Sequence, residues 1–552
     1  MKEWRINFVL ALILLLSATV VGRLFFLQVL KNDWYSALAR GQQKLFMSSL
    51  GDRGQIFLTN HSLPVATNHE YPFIYLSPIE VEPEEKEGIA EKLSSVLLLD
   101  KSDILDRLQE NSLYELLKSK LSQEEYNALK DLNLTGVHFG SEKVREYPYD
   151  NFASHLLGFV NQDGEGQYGA EGYLNSTLQG KEGFFEGERS AWGYFFPGFN
   201  EGETKGEDIT LTVDYNIQYF AEKLLVSAQD SLDIEGGTIL VMDPLSGKIL
   251  ALANLPSFNP NLYSEEKDFS IFQTDAIQKV FEPGSVFKPI TMAAALDFGK
   301  ITPQTTYFDQ GCIKVSIYDV CNYENRIYAG ELTMTNVLEK SINTGAMFAE
   351  DLLGHNNFKD YIRKFGIFEK TGVDLDGEVL PLNLEFKKGH EINFVTASFG
   401  QGIEMTPMQL ARAFSVIANG GKLVTPFVVE RNLKISDNNI ISGEASSKLT
   451  AMLVSVVENG FGKAARVPGY FVAGKTGTAQ ISYSSLGESK AGYSDKTWQS
   501  FIGFAPAFNP RFLILVKLDN PATKTAEYSA LPLFQTLAKY IIDYYQIPPD
   551  YE

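Results

Sequence analysis

A serine attacks a carbonyl at neutral pH only when a nearby base takes its proton. Pro283-Gly284-Ser285-Val286-Phe287-Lys288 supplies both groups in one Ser-x-x-Lys string. Pro-Gly breaks the preceding structure, and the run through Ala293-Ala294-Ala295-Leu296 reads as a helix, so Ser285 is expected at a helix N-terminus. Free backbone N–H groups and the helix dipole there can stabilise a developing oxyanion. Lys288 falls on the same helical face, within reach of the hydroxyl, and partial burial would lower its pKa and make it a base. Ser264-Glu265-Glu266-Lys267 has the same spelling but sits in an acidic segment with no helix start, and reads as solvated surface.

Two further strings can complete such a centre. Ser341-Ile342-Asn343 falls between the helical patterns Met334 to Lys340 and Ala346 to Leu353, so it can project polar groups from a turn. Lys475-Thr476-Gly477-Thr478 follows the apolar Tyr470-Phe471-Val472-Ala473, as on a strand facing a cleft. Both spellings recur, at Ser257-Phe258-Asn259, Ser436-Asp437-Asn438 and Lys370-Thr371-Gly372, the last in a turn-rich stretch that reads as structural. Singly each string is common by chance. In the order Ser-x-x-Lys, Ser-x-Asn, Lys-Thr-Gly, with fitting contexts, they are far more specific. One rival uses the same lysine: Gly469 to Thr476 matches the phosphate loop G-x-x-x-x-G-K-[ST]. Its four middle residues are bulky and apolar, and no helical pattern starts at Lys475. Gly164 to Gly169 spells G-x-G-x-x-G, but Asp163, Glu165 and Glu171 would repel a pyrophosphate, and it reads as a turn.

Positioning these groups is the task of the surrounding elements. Leu211 to Asp214 is a short strand leading into a helical pattern, and Gly237 to Met242 and Ile249 to Ala253 are two strands joined by a turn at Asp243 to Gly247. With the apolar helices Val286 to Leu296 and Met408 to Ala418, they suggest an antiparallel sheet packed against helices. Residues 31–205 mix short strands with charge-rich helices, and Gly/Glu-rich punctuation from Pro197 to Gly206 marks a boundary. At the start, Ile6 to Gly22 is almost wholly apolar and the pattern continues to Leu30, close to the ~20 residues a membrane-spanning helix needs. Lys2 and Arg5 in front of it place the N-terminus in the cytoplasm and the remaining chain outside. A cleaved signal peptide is the alternative, for which Val20-Val21-Gly22 is a poor site.

Composition narrows the function classes. The 552 residues are 44% hydrophobic and 21% charged, enough to bury cores. A net charge of −21 with no Lys/Arg run disfavours nucleic-acid binding. Two cysteines, Cys312 and Cys321, exclude a disulfide-built scaffold and a four-cysteine metal site; outside the cytoplasm they either bridge a hairpin or remain thiols. His390-Glu391 lacks the second histidine of H-E-x-x-H, and nothing else points to a metal.

With the three strings in order, the chain resembles the class B penicillin-binding proteins, membrane-anchored peptidoglycan D,D-transpeptidases of bacterial division and elongation. The resemblance covers nearly the whole chain. Arg23 to Val29, Asp52-Arg53-Gly54-Gln55-Ile56, Tyr147-Pro148 and Gly166 to Glu171 are similar to the post-anchor and pedestal strings. Met242-Asp243-Pro244, Gly247 to Ala251, Ser398 to Gly402, Thr406 to Ala411 and Trp498 to Pro506 are similar to strings of the catalytic part. Phe57-Leu58-Thr59-Asn60 departs from the family's usual D-R-N-G, far from the chemistry. The resemblance implies an α+β architecture: an anchor helix over residues 1–30, an elongated non-catalytic pedestal over 31–205, and a penicillin-recognising serine transpeptidase domain over 206–552 with an antiparallel sheet between helices.

Carried over by position, Ser285 would be the nucleophile acylated by the penultimate D-alanine of a stem pentapeptide, and Lys288, held neutral, its base. Ser341 and Asn343 would relay protons and orient Lys288 and the substrate amide. Lys475 would hold positive charge toward the substrate carboxylate, with Thr476, Gly477 and Thr478 in the substrate-binding strand. The backbone N–H groups of Ser285 and Thr478 would form the oxyanion hole. A second stem peptide's amine would resolve the acyl-enzyme, and β-lactams would remain on Ser285. No metal or organic cofactor is implied, and glycan polymerisation would fall to a membrane-embedded glycosyltransferase partner, because residues 31–205 lack E-D-x-x-F. A serine β-lactamase shares the three strings, but Glu378 to Asn383 has the wrong spacing for its E-x-x-L-N. A β-lactam sensor would carry several membrane spans, where the sequence has one.

Overall fold

The computed structural model of the chain describes residues 3–25, 44–189, 195–201, 204–431, 438–490 and 492–551. Ser436 and Asp437, of the second Ser-x-Asn copy, lie outside these. The chain forms two compact units, residues 1–54 with 177–207, and residues 55–176 with 208–552. In the first, Glu3–Phe25 is a helix on which Leu12, Ile13, Leu14, Leu15 and Leu16 are exposed. Among the described residues, no helix is long and apolar enough to cross a membrane. Residues 26–30 of the expected anchor lie outside those described, as do the side chains of Arg5, Ile6, Asn7, Val9 and Ala11. Lys44–Leu50, Glu182–Arg189 and Phe195–Glu201 form a three-stranded antiparallel sheet.

The second unit is built on a five-stranded sheet of β1 (Gly236–Met242), β2 (Ile249–Leu255), β3 (Ala473–Ser482), β4 (Tyr493–Ala505) and β5 (Phe512–Asp519). Its order is β2-β1-β5-β4-β3, antiparallel throughout. Helices α1 (Tyr215–Leu232), α2 (Lys288–Asp297), α3 (Asn343–Leu353), α4 (Pro407–Ala418), α5 (Gly443–Asn459) and α6 (Ala530–Tyr544) surround it. β5 is central, and Phe512 to Leu518 are all buried, because an interior strand covered on both faces reads as a continuous apolar run. α1 and α6 pack on the face that carries Ile239, Val241, Ile514 and Val516. α4, in which every residue is buried, packs on the other, where the Phe414 ring meets Phe504. Side chains fix where these helices start: Asp214 accepts from the N–H groups of Asn216 and Ile217, and Thr406 with Gln409 forms a capping box.

Residues 55–176 belong to the same unit. Ile56–Thr59 pairs in parallel with Ile209–Asp214 and antiparallel with His61–Leu76, and three helices close a small core over Ile74, Leu93, Ile104 and Leu129. Two of the expected pedestal strings meet at a buried carboxylate: the Tyr147 hydroxyl donates to Glu171 at 3.3 Å, and Arg145, just before the Tyr147 string, donates to it from Nε at 2.7 Å in a buried ion pair. The Asn261 side chain brackets the Tyr147 backbone with two bonds of 2.9 Å, tying this part to the sheet domain. The expected turn at Gly164 to Gly169 is only partly one: residues 161–165 turn the short hairpin of Phe159–Val160 with Gly166–Gln167, the latter is its second strand, and Gly169 starts the helix Gly169–Tyr173.

Candidate active site

The Ser-x-x-Lys string folds into a single 3-10 turn, Gly284–Phe287, and α2 begins only at Lys288. The expected helix N-terminus at Ser285 is corrected to that extent. Pro289 has no N–H to give to the Ser285 carbonyl, so the α-helical ladder cannot include this turn, and the Lys288 N–H bonds that carbonyl instead. The turn is held from behind, where the Gly284 N–H donates to the Gly400 carbonyl at 2.9 Å and a side chain on Gly400 would collide with the Gly284 backbone. It rests in front on β3. A Cβ on Gly477 would meet Ser500 Oγ, Val286 Cγ1 and the Pro283 carbonyl at 2.8, 2.9 and 3.0 Å.

Lys288 is fully buried. Its Nζ lies 3.0 Å from Ser285 Oγ, 2.6 Å from the Ser341 carbonyl and 3.2 Å from Ser341 Oγ. Burial, and then the charge of the neighbouring Lys475, push its pKa well below the ordinary lysine value. A neutral amine offers two N–H groups and one lone pair, which matches two acceptors on Ser341 and one hydroxyl donor on Ser285. Ser341, at φ +54°, occupies the turn between helix Met334–Glu339 and α3, and this left-handed backbone brings its carbonyl and hydroxyl to the same lysine.

Lys475, also fully buried, donates from β3 to Ser341 Oγ at 2.9 Å and to the Thr476 carbonyl at 3.1 Å. The Ser341 hydroxyl therefore bridges the two lysines. Burial pulls the Lys475 pKa down to about 7, against the opposing effect of the Glu527 carboxylate. A group with a pKa near 7 is readily tipped to the cation by an anion placed against it, as the positive charge expected of Lys475 toward a substrate carboxylate requires.

Ser285, Ser341, Asn343, Thr476 and Thr478 line one cleft of about 1070 Å³. Lys288 and Lys475 lie beneath its floor, and Gly477 faces the nucleophile turn. Asn343 donates from Nδ2 to the Cys321 carbonyl at 2.9 Å, and among the described residues it makes no hydrogen bond to Lys288, which is oriented by Ser341 instead. The Thr478 hydroxyl accepts from the Ala526 N–H at 3.2 Å, which brings Glu527 to the cleft wall beside Lys475.

The decoys fall elsewhere. Ser264 and Lys267 are exposed. Thr371 donates its N–H and hydroxyl to Glu378 at 2.6 and 2.5 Å, so the first Lys-Thr-Gly is a capped turn. Lys475 and Thr476 lie within a strand, where a phosphate loop needs a helix start. The cysteines are bridged, Cys312 to Cys321, across a hairpin of Cys312–Val315 with Tyr318–Cys321 whose last residue lines the cleft. Sequence reasoning missed Asp309, Asn322 and Glu527; only the two cysteines nine residues apart hinted that this hairpin matters.

The family model described as the penicillin binding protein transpeptidase domain matches residues 237–539, and that of the penicillin-binding protein dimerisation domain matches residues 48–211. The chain belongs to the penicillin-binding transpeptidase family. It is 31% identical to the probable peptidoglycan D,D-transpeptidase PbpC of Pseudomonas aeruginosa, over 100% of this chain and 96% of that one. To the stage V sporulation protein D of Bacillus subtilis it is 30% identical, over 94% and 82%. Penicillin-binding protein 3 of Mycobacterium tuberculosis, solved in complex with aztreonam, superposes with a TM-score of 0.70 at 25% identity, covering 91% of this chain and 98% of that one. In this penicillin-binding transpeptidase, the matched region contains all three strings and the Cys312–Cys321 hairpin.

Proposed function

We propose that this chain is a membrane-anchored peptidoglycan D,D-transpeptidase that works through an acyl-enzyme on Ser285. The observation that carries the mechanism is the contact set of Lys288: a buried amine, its pKa pushed well below the ordinary lysine value by burial and by Lys475, 3.0 Å from Ser285 Oγ and held by both oxygens of Ser341.

Ser285 Oγ attacks the carbonyl of the penultimate D-alanine while its proton passes to Lys288 Nζ. The oxyanion is received by the backbone N–H groups of Ser285 and Thr478. The peptide bond then breaks, the terminal D-alanine leaves with the proton held by Lys288, and an ester remains on Ser285. The amine of a second stem peptide attacks that ester, gives its proton back through Lys288, and frees the serine. The substrate's terminal carboxylate raises the pKa of Lys475 and fixes it as a cation, with Thr476 and Thr478 as hydroxyl partners. The Asn343 nitrogen is committed to the Cys321 carbonyl, so Oδ1 is left to accept a substrate N–H.

β-Lactams would acylate the same serine; penicillin-binding protein 3 of Mycobacterium tuberculosis, which this chain resembles in fold, is solved in complex with aztreonam and with ampicillin. Glu378, the nearest sequence match to the deacylating carboxylate of a hydrolytic β-lactamase, is instead occupied by Thr371 and Gly372 in a capped turn. The apolar run Ile6 to Leu30 and the exposed leucines on Glu3–Phe25 support a single anchor over residues 1–30, N-terminus cytoplasmic, followed by a pedestal over 31–205 and the catalytic part over 206–552. A membrane-embedded glycosyltransferase would supply the glycan strands.

Exchange of D-alanine tests the activity. Incubated with a stem pentapeptide and a labelled D-amino acid, the full chain is expected to exchange the terminal residue, and Ser285→Ala to do nothing. Release of D-alanine with no exchange into the peptide would make the protein a carboxypeptidase instead.

A further inference from the structure

The N-terminus of α3 carries no capping side chain of its own, since Ile342 occupies the N-cap. Helix N–H groups left without partners are costly inside a protein. Here the partner comes from the hairpin that precedes the helix. Asn322, 5% exposed, accepts from the Asn343 N–H at 3.0 Å and from the Thr344 N–H at 3.1 Å through Oδ1. Its Nδ2 donates to both oxygens of Asp309 and to the Arg326 carbonyl, each at 3.0 Å. Donors alone face one end of this amide and acceptors alone the other, so its orientation is fixed.

Asp309 gathers the rest of the segment. Its carboxylate accepts from the Thr344 hydroxyl at 2.6 Å, the Tyr328 N–H at 2.8 Å and the Gly311 N–H at 3.0 Å. Cys321 stands next to Asn322, is bridged to Cys312, and receives Nδ2 of Asn343 on its carbonyl. Residues 309–328 thus grip α3 at Asn343 and Thr344 by backbone and side chain together. Ser341, whose two oxygens hold Lys288 and Lys475, lies two residues before the first residue of the helix. A shift of the α3 start would draw those oxygens away from both lysines and turn the Asn343 amide out of the cleft floor.

We propose that Asn322, backed by Asp309 and the bridged hairpin, is a positioning residue for the acyl-transfer reaction: it sets the Ser341–Asn343 turn against Lys288 from outside the Ser-x-x-Lys, Ser-x-Asn and Lys-Thr-Gly strings. The inference rests on the reading of Ser285 as nucleophile.

Acylation kinetics with a fluorescent penicillin on the full chain test it, separating the drug's binding constant from the acylation rate constant. Asn322→Asp keeps the shape and the acceptor for both N–H groups but sets a second carboxylate against Asp309. The acylation rate constant is expected to fall by about tenfold or more, as displaced catalytic groups do, with the drug's binding constant within about twofold. Adding Asp309→Asn restores a donor–acceptor match, and the double variant should recover at least about threefold of the rate, a coupling that loss of folding alone would not give. If Asn322→Asp does not fold, Thr344→Val, which removes only the hydroxyl bonded to Asp309, is read the same way: slower acylation at an unchanged melting temperature upholds the proposal. Wild-type acylation by a folded Asn322→Asp or Thr344→Val chain, or a double variant no faster than Asn322→Asp, overturns it. A wild-type chain that the penicillin does not label would instead overturn the nucleophile reading itself.

Discussion

Two buried lysines within reach of one serine hydroxyl set the behaviour of this site at the residue scale. Lys288 must be neutral to take a proton, and Lys475 must be charged to hold a carboxylate, yet burial lowers the pKa of both. The pH dependence separates them. For a carboxylated β-lactam, the second-order acylation constant reports the free enzyme, so it should fall as pH rises past about 7, where Lys475 loses its proton. The first-order acylation constant of the bound complex should show no such fall, because the ligand carboxylate keeps Lys475 protonated. A second-order constant that stays level well above neutrality would contradict this. Lys475 also bears on stability. Its folded pKa is depressed, so the unfolded chain holds the proton more tightly, and stability rises with pH from about 7 to the ordinary lysine value. Lys475→Met removes that penalty and should stabilise the protein at pH 7 by a few kcal/mol in urea unfolding while abolishing function. A less stable variant would show that the hydrogen bonds of Lys475 outweigh its desolvation.

At the scale of elements, β3 and the nucleophile turn are set by contact of backbone with backbone. Gly477→Ala places a methyl group within 3.0 Å of the Pro283 carbonyl and 2.9 Å of Val286, so one element must move. Acylation should slow by roughly tenfold or more with little change in melting temperature, and a wild-type rate would mean the turn yields freely. Strands β1 and β2, helix α4 and the turn at Ser341 were legible because apolar periodicity and turn residues announce them. The Ser285 turn was only half legible, since the effect of Pro289 falls four residues from the serine it governs. Asn322 could not be seen in sequence at all: it sits 21 residues before the helix it caps, and hydrogen bonds across such a distance leave no local pattern.

For the molecule as a whole, residues 55–176 are joined to the catalytic part by strand pairing and buried polar contacts. The Arg145–Glu171 pair is the sharpest case, with both side chains almost wholly buried. Glu171→Ala leaves a charged guanidinium in the interior and should cost about 3–5 kcal/mol in chemical unfolding. Glu171 is absent from the cleft, so the folded fraction should still acylate at the wild-type rate. Unfolding indistinguishable from wild type would contradict the ion pair's role. The sequence strings around Tyr147 and Glu171 pointed to this part by resemblance, but no charge pattern in the sequence showed that Arg145 and Glu171, 26 residues apart, meet in the interior.

The measurement that bears most directly on the central claim is mass spectrometry of the full chain after exposure to a β-lactam, with the modified peptide mapped. The account predicts one drug-sized adduct, on Ser285, that lasts for hours and is absent from both Ser285→Ala and Lys288→Met. An adduct on Ser264 or Ser341, or one that forms at full rate without Lys288, would contradict it.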